Sequence, residues 1–388
     1  MRSGTPGFVG PCLREAREAR GLTAVSLAEL LGVSTSAVSQ YEKGAHSPSP
    51  EVLERICEVL KLPPHFFLSE PPPSDERPIF YRSMSTATKG ARTRVERRYG
   101  WMRRIVNFLR RYITFPPVGF PDFGLPDDPT AIRRADIEQV AEKVRRSWKL
   151  GDGPISNVAW LLENNGAVLS RQELGADELD AFSQWSDADH TPYIVLGSDK
   201  SSGPRSRFDA GHELGHMILH RKFKKPVVLN NPLYRLMEQQ AHAFSSAFLL
   251  PAASFSLECH RPTLDLFRAL KPKWKVSIQL MIRRSGELGY LSEQESRRLW
   301  INLARRGWRL QEPLDDSLDH EMPRFLRRSF ELLVEKGIIA RNEIPFQLRL
   351  AASDIESLSN LRKGYFFEPV GQDEPEPVLK FPRIQAQG

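Results

Sequence analysis

Residues 205–220 read Arg-Ser-Arg-Phe-Asp-Ala-Gly-His-Glu-Leu-Gly-His-Met-Ile-Leu-His, and residues 237–251 read Met-Glu-Gln-Gln-Ala-His-Ala-Phe-Ser-Ser-Ala-Phe-Leu-Leu-Pro. His212 and His216 are four apart, so on a helix both imidazoles leave one face and can grip one metal ion. Glu213, beside the first of them, points to the side of that ion. There it can take a proton from an attacking water and return it to a leaving amine. A catalytic zinc ion lowers the pKa of water to ~7, but it needs a third protein ligand and an open position. Glu238 on the following helix meets the first need, and small Ala241, one turn on, lets that helix approach closely. His242, a further turn position along, is a candidate to orient a ligand or stabilise an oxyanion, with a packed polar residue as the plain alternative. His220 can support a ligand or cap its helix end.

Working outward, two apolar runs, Ala167–Leu169 and Tyr193–Leu196, read as strands. Before them, Asp136 is an expected N-cap for a helix with Ile137, Val140, Ala141 and Val144 on one face, and Pro154 to Glu163 reads as another. Beyond Pro251 the pattern is helical to about Arg362. The expected fold class is therefore mainly α with a small β-sheet, an α+β protein.

The N-terminus carries a second pattern. Leu13 to Leu62 reads as a unit of five short helices, with Thr23 and Ser34 as caps and Gly32-Val33 as a sharp turn between two of them. A proline-rich stretch, Glu70 to Glu76, reads as a stiff linker. Lys89 to Arg111 then reads as an arginine-rich amphipathic helix, open to two interpretations: a phosphate-gripping segment, or a solvated helix whose arginines pair with acidic side chains.

The stretch LREAREARGLTAVSLAELLGVSTSAVSQYEKG, Leu13 to Gly44, resembles the Cro/repressor-type (XRE) helix-turn-helix family. The resemblance implies that the Ser34–Glu42 helix lies in the major groove of double-stranded DNA, with Thr35, Ser36, Ser39 and Gln40 reaching bases or phosphates. Gln40 can pair bidentately with adenine, whereas Ser and Thr discriminate less. One departure is Ala24, where the family often has Gln.

The blocks PYIVLGSDKSSGPRSRFDAGHELGHMILH and MEQQAHAFSSAFLLP are similar to the two hallmarks of the ImmA/IrrE family of zinc metallopeptidases, and the likeness runs from about Ala135 to Pro313. It implies a gluzincin-like site with His212, His216 and Glu238 holding Zn2+ and Glu213 as general base. Members are associated with regulated cleavage of repressors. The family commonly has acidic and Asn residues where Gln240 and His242 stand.

The remaining numbers agree with that reading. The chain has 388 residues, 40% of them hydrophobic, and a net charge of +7, which favours anionic partners such as nucleic acid. Three scattered cysteines, Cys12, Cys57 and Cys259, fit a reducing compartment rather than a disulfide framework. Met1 to Pro6 lacks the apolar core of a signal peptide, and no apolar run is long enough to span a bilayer, so a cytoplasmic location and no membrane partner are expected.

The expected division is a helix-turn-helix domain at 11–68, a linker and basic helical segment at 69–134, a metallopeptidase-like domain at 135–260, a helical C-terminal region at 261–366 and a disordered tail at 367–388. The expected function is a DNA-binding transcriptional regulator with a zinc endopeptidase that cleaves a repressor, an antitoxin-like regulatory protein or itself. A homodimer is expected if paired half-sites are read. The alternative is a non-catalytic repressor or antitoxin whose zinc site is structural or sensory. A protein-interaction module without DNA binding is a third reading.

Overall fold

The computed structural model describes residues 4–69, 79–81, 88–173, 181–198, 202–223 and 231–367. The expected linker from Glu70 to Glu76 and all but the first residue of the expected tail lie outside the described residues.

The N-terminal unit consists of α1 (Gly10–Ala19), α2 (Ala24–Leu31), α3 (Thr35–Glu42) and α4 (Pro50–Leu60). These four helices are one fewer than the five expected up to Leu62, and a 3-10 turn at Pro64–Phe66 follows them. Thr23 Oγ1 caps α2 by accepting from the Ser26 amide at 3.0 Å, and Ser34 Oγ caps α3 by accepting from the Ala37 amide at 3.1 Å. Between them Gly32 has a φ of 63°, a left-handed conformation that glycine adopts without a Cβ clash. The tight crossing buries Leu27, Ala28, Leu31 and Val38.

A two-residue strand, β1 (Phe80–Tyr81), precedes α5 (Lys89–Leu109). The apolar stripe of α5 is buried, with Trp101, Met102, Ile105 and Val106 completely so. Its arginines are largely engaged within the protein. Arg97 donates to Glu18 on α1 at 2.7 Å, Arg98 to Gln172 at 3.0 Å and Arg110 to Asp189 at 2.8 Å, while Arg103 is buried. Of the two interpretations the sequence left open, pairing with the protein's own polar groups accounts for these side chains. The helix is an internal strut.

Next come α6 (Arg134–Ser147), α7 (Val158–Asn164), β2 (Val168–Gln172), β3 (Ala181–Trp185) and β4 (Pro192–Gly197). Asp136 stands at the third residue of α6 instead of at its cap, where Oδ2 accepts from the Arg133 amide at 3.0 Å. That position still places a carboxylate at the positive end of the helix dipole. The sheet order is β1-β3-β4-β2, with β2 parallel to β4 and the other pairs antiparallel.

Strand alternation divides the interior into two cores. Val168, Phe182, Tyr193 and Val195 join the core built by α1–α5. Leu169, Ala181, Ile194 and Leu196 face the opposite core, which holds α8 (Gly203–Leu219) and α9 (Asn231–Leu249).

The rest of the chain is helical: α10 (Ala252–Glu258), α11 (Leu264–Trp274), α12 (Ile278–Glu287), α13 (Glu293–Arg305), α14 (Phe325–Glu335), α15 (Glu343–Leu348) and α16 (Ala352–Ser359). Buried residues of α10–α13 extend the α8/α9 core, whereas those of α14–α16 join the core shared with α1–α5. A bidentate pair fastens that junction, with Arg20 at the C-cap of α1 donating two bonds of 2.6 Å to Asp354 on α16. The protein is thus mainly helical with one small sheet. No helix among the described residues is long and apolar enough to cross a membrane.

Candidate metal centre

α8 and α9 make the closest helix pair around the site, and small residues are the reason. A Cβ placed on Gly215 would lie 3.1 Å from both Cα and the carbonyl oxygen of Ala241, and one on Gly211 would lie 2.6 Å from Ser245 Oγ. Any larger side chain at Gly215 would have to push backbone away. Ala241 is the small residue that this close approach requires on α9, and Gly215 is its counterpart on α8.

That closeness brings three sequence candidates together. His212 Nε2 and His216 Nε2 are 3.0 Å apart. Glu238 Oε1 lies 3.0 Å from His216 Nε2, and Glu238 Oε2 lies 3.4 Å from His212 Nε2. Both imidazoles are completely buried, while the Glu238 side chain is 17% exposed, so the cluster opens to solvent on the α9 side. Burial alone would raise the Glu238 carboxyl, yet hydrogen bonds from the two facing imidazoles, made when protons rather than a metal ion fill the cluster, outweigh it and hold the group far below the usual carboxylate range. Three groups with their lone pairs turned on one point require a cation among them, whether a proton or a metal ion.

The orientation of His216 follows from a chain of contacts. Gln240 Nε2 donates to the carbonyls of Pro129 at 2.7 Å and Ile132 at 3.0 Å, so its Oε1 is left as acceptor. His220 Nε2 lies 3.1 Å from that oxygen and must carry the proton. Burial pushes the pKa of His220 well below its ordinary value, so the ring is neutral and its Nδ1 is an acceptor. His216 Nδ1, 2.8 Å away, therefore donates, and His216 Nε2 keeps a lone pair directed at His212 and Glu238. Phe80 of β1 stacks on the His216 ring at 4.8 Å between centroids, closing its other side.

Glu213 is fully buried beside this cluster, and Ser183 Oγ on β3 donates to its Oε2 at 2.5 Å. His242 adds a fourth group: a ligand atom of His212, Glu238 and His242 can be chosen so that all three lie within 4.8 Å of one another. Its Nδ1 is 3.4 Å from Arg283 Nη1, and its ring packs 5.5 Å from Phe208. The spacing of His212, His216 and Glu213 carried its own signal. Ser183 and Phe80 carried none, since they arrive from a hairpin strand and a two-residue strand, and Gln240 stood out only as a departure from the family pattern, with no sign of its side-chain link to a distant loop.

At the other end of the chain, Thr35, Ser36 and Gln40 on α3 are exposed and Ser39 is half-buried. Arg17 on α1 clamps Glu42 at the far end of α3 with bonds of 2.5 and 3.0 Å, fixing the helix against its neighbour. The four candidate DNA-contacting residues therefore lie on a polar surface of a braced helix.

Comparison with known proteins agrees with this two-part organisation. Residues 13–67 match the helix-turn-helix family model, and residues 162–285 match that of the IrrE N-terminal-like domain. The uncharacterized HTH-type transcriptional regulator y4wC of Sinorhizobium fredii is 32% identical over 62 residues, which are 16% of this chain and 43% of that protein. The transcriptional regulator ClgR of Mycobacterium tuberculosis is 40% identical over 55 residues, 14% of this chain and 49% of that protein. The chain spans about half the length of the curated relatives it matches. It thus carries a helix-turn-helix domain at its N-terminal end and, beyond it, an IrrE N-terminal-like domain.

Proposed function

We propose that the chain is a DNA-binding transcriptional regulator that carries a zinc-dependent endopeptidase acting on a repressor or another regulatory protein. The observation that carries this reading is the convergence of His212, His216 and Glu238 beside Glu213. The donor set fits zinc. Ligands sharing one tetrahedral ion at bonds of ~2.0–2.1 Å lie roughly 3.3 Å apart, close to the spacings here. When bound, zinc supplies Lewis acidity and brings the pKa of water down to ~7.

The protein's own residues supply the rest. Glu213 takes the proton of the attacking water and passes it to the leaving amine. Ser183 holds the Glu213 carboxylate in place, and the Gln240–His220 chain holds the lone pair of His216 toward its ligand position. The Glu238 side, where the cluster reaches solvent, gives a peptide its entry. The helix-turn-helix unit, with Thr35, Ser36, Ser39 and Gln40 on its reading helix, locates the chain on double-stranded DNA. The names of the matched regulators support that half of the reading.

A second reading has its own observation. His242 stands within reach of the same centre, and structural zinc sites use four protein ligands. A closed site would make the chain a zinc-holding repressor without catalysis. The deciding experiment incubates zinc-loaded protein with repressors encoded near its gene and with the chain itself. Cleavage by wild type that Glu213→Gln abolishes while keeping its zinc supports the enzyme. Equal inertness of both on every partner sinks it.

A further inference from the structure

Helices α9, α12 and α13 line a groove of about 1120 Å³ whose α9 wall includes Gln239 and His242, one and four residues beyond Glu238. It is of the size of sites that hold extended ligands. Its charge is one-sided. Arg134, Arg283, Arg297 and Arg309 line it against two glutamates, Glu287 and Glu293. Glu287 is already neutralised: Arg134 Nη2 lies 3.2 Å from it, Arg284 3.7 Å, and Ser246 Oγ donates to it at 2.7 Å. Arg283, Arg297 and Arg309 are exposed, and none of them forms an ion pair among the described residues. Between these charges the wall is apolar, with Trp300, half-buried, and Ile301, 44% exposed.

We infer that this groove binds an acidic, apolar-containing polypeptide segment and feeds it to the metal centre, an inference that rests on the peptidase reading above. Three arginines without a carboxylate partner among the described residues, inside a concave surface, concentrate anionic ligands and disfavour cationic ones. Arg283 links the two sites directly, since the same side chain that lines the groove approaches His242 at 3.4 Å. Carboxylates of the segment meet Arg283, Arg297 and Arg309, and its apolar side chains cover Trp300 and Ile301. A nucleic acid offers the charge but no aliphatic side chains for that wall. The specificity-determining residues are therefore Arg297 and Arg309 at the outer part and Arg283 next to the centre.

The test uses the zinc-loaded full chain carrying Glu213→Gln, which removes turnover and leaves binding. Two fluorescein-labelled peptides of equal length are titrated by anisotropy, one with Asp and Glu between Leu residues and one with Asn and Gln in those places. The acidic peptide is expected to bind at least about tenfold more tightly, and Arg297→Glu/Arg309→Glu is expected to erase that preference. Both arginines are exposed and outside the metal cluster, so unchanged zinc content verifies that the doubly substituted chain is folded. Equal affinity for the two peptides overturns the inference, as does a preference that survives the charge reversal. A short DNA duplex that displaces the acidic peptide in an Arg297- and Arg309-dependent way also overturns it, in favour of nucleic acid. Because binding is read in an inert chain, failure of wild type to cleave anything strikes the peptidase reading, whereas failure here with cleavage intact strikes only the groove.

Discussion

His216 Nδ1 lies 2.8 Å from His220 Nδ1, and because Gln240 obliges His220 to donate from its other nitrogen, His216 donates from Nδ1 and leaves Nε2 as the atom that can hold a metal ion beside His212 and Glu238. His220 thereby sets the tautomer of a candidate ligand without being one itself. Replacing it with Leu removes the acceptor and frees His216 to turn its proton inward. Zinc affinity should fall about 10–100-fold, measured by competition with a chromophoric chelator. His220→Asn, which returns an acceptor near the Nδ1 position, should recover much of that loss. Equal affinity for wild type and His220→Leu would remove the relay from the account.

Gly215 is a second dependence that can be measured. A methyl group there meets the backbone of Ala241, which cannot swing aside as a side-chain end would. Gly215→Ala should cost about 1–3 kcal/mol of stability by overpacking and should loosen zinc binding as α9 is displaced. Chemical denaturation and the chelator competition read the two effects. An unchanged pair of values would mean that the close approach has slack.

Much of the centre was legible because helical periodicity converts a four-residue spacing into shared direction, which is local information. His212, His216 and Glu213 needed nothing else, and Glu238 needed only the assumption of a neighbouring helix. Ser183, Phe80 and the Gln240 contact depend on how strands and loops distant in sequence return to α8, and spacing carries no trace of that. The same limit applied to α5. Its apolar stripe was readable, but the direction of its arginines was set by Glu18 and Asp189, each 79 residues away in the chain. The four-stranded sheet was half visible: two strands with unbroken apolar runs stood out, whereas Phe80–Tyr81 is too short for any pattern and Ala181–Trp185 mixes polar with apolar residues.

Trp101 ties the helix-turn-helix unit to α5, with its Nε1 donating to Glu15 at 2.7 Å inside the core. Burial raises the pKa of that carboxyl, so loss of its donor is costly. Trp101→Phe keeps most of the packing and leaves Glu15 short of a partner. A loss of about 1–3 kcal/mol is expected in denaturant unfolding, and Glu15→Gln should offset part of it in the double variant. Full additivity of the two substitutions would show that the contact carries no energy.

Glu163 sets a pH dependence. It accepts from the backbone amides of Arg324 and Phe325 at the start of α14, yet burial pushes its pKa up to about 7. A carboxyl whose folded value is raised stabilises the fold fully below its unfolded value of about 4.5 and loses that contribution as pH rises through about 7. Wild type should therefore lose up to about 3 kcal/mol relative to Glu163→Gln between those limits. Denaturant unfolding of both proteins across that range checks it, and parallel pH profiles would contradict it.

Metal analysis of the purified chain bears most directly on the central claim. One zinc per chain is expected in wild type and in Glu213→Gln, and loss of most of it in His216→Ala and in Glu238→Gln with the fold retained. Zinc absent from wild type after loading, or undiminished in both ligand variants, would contradict a centre built from His212, His216 and Glu238.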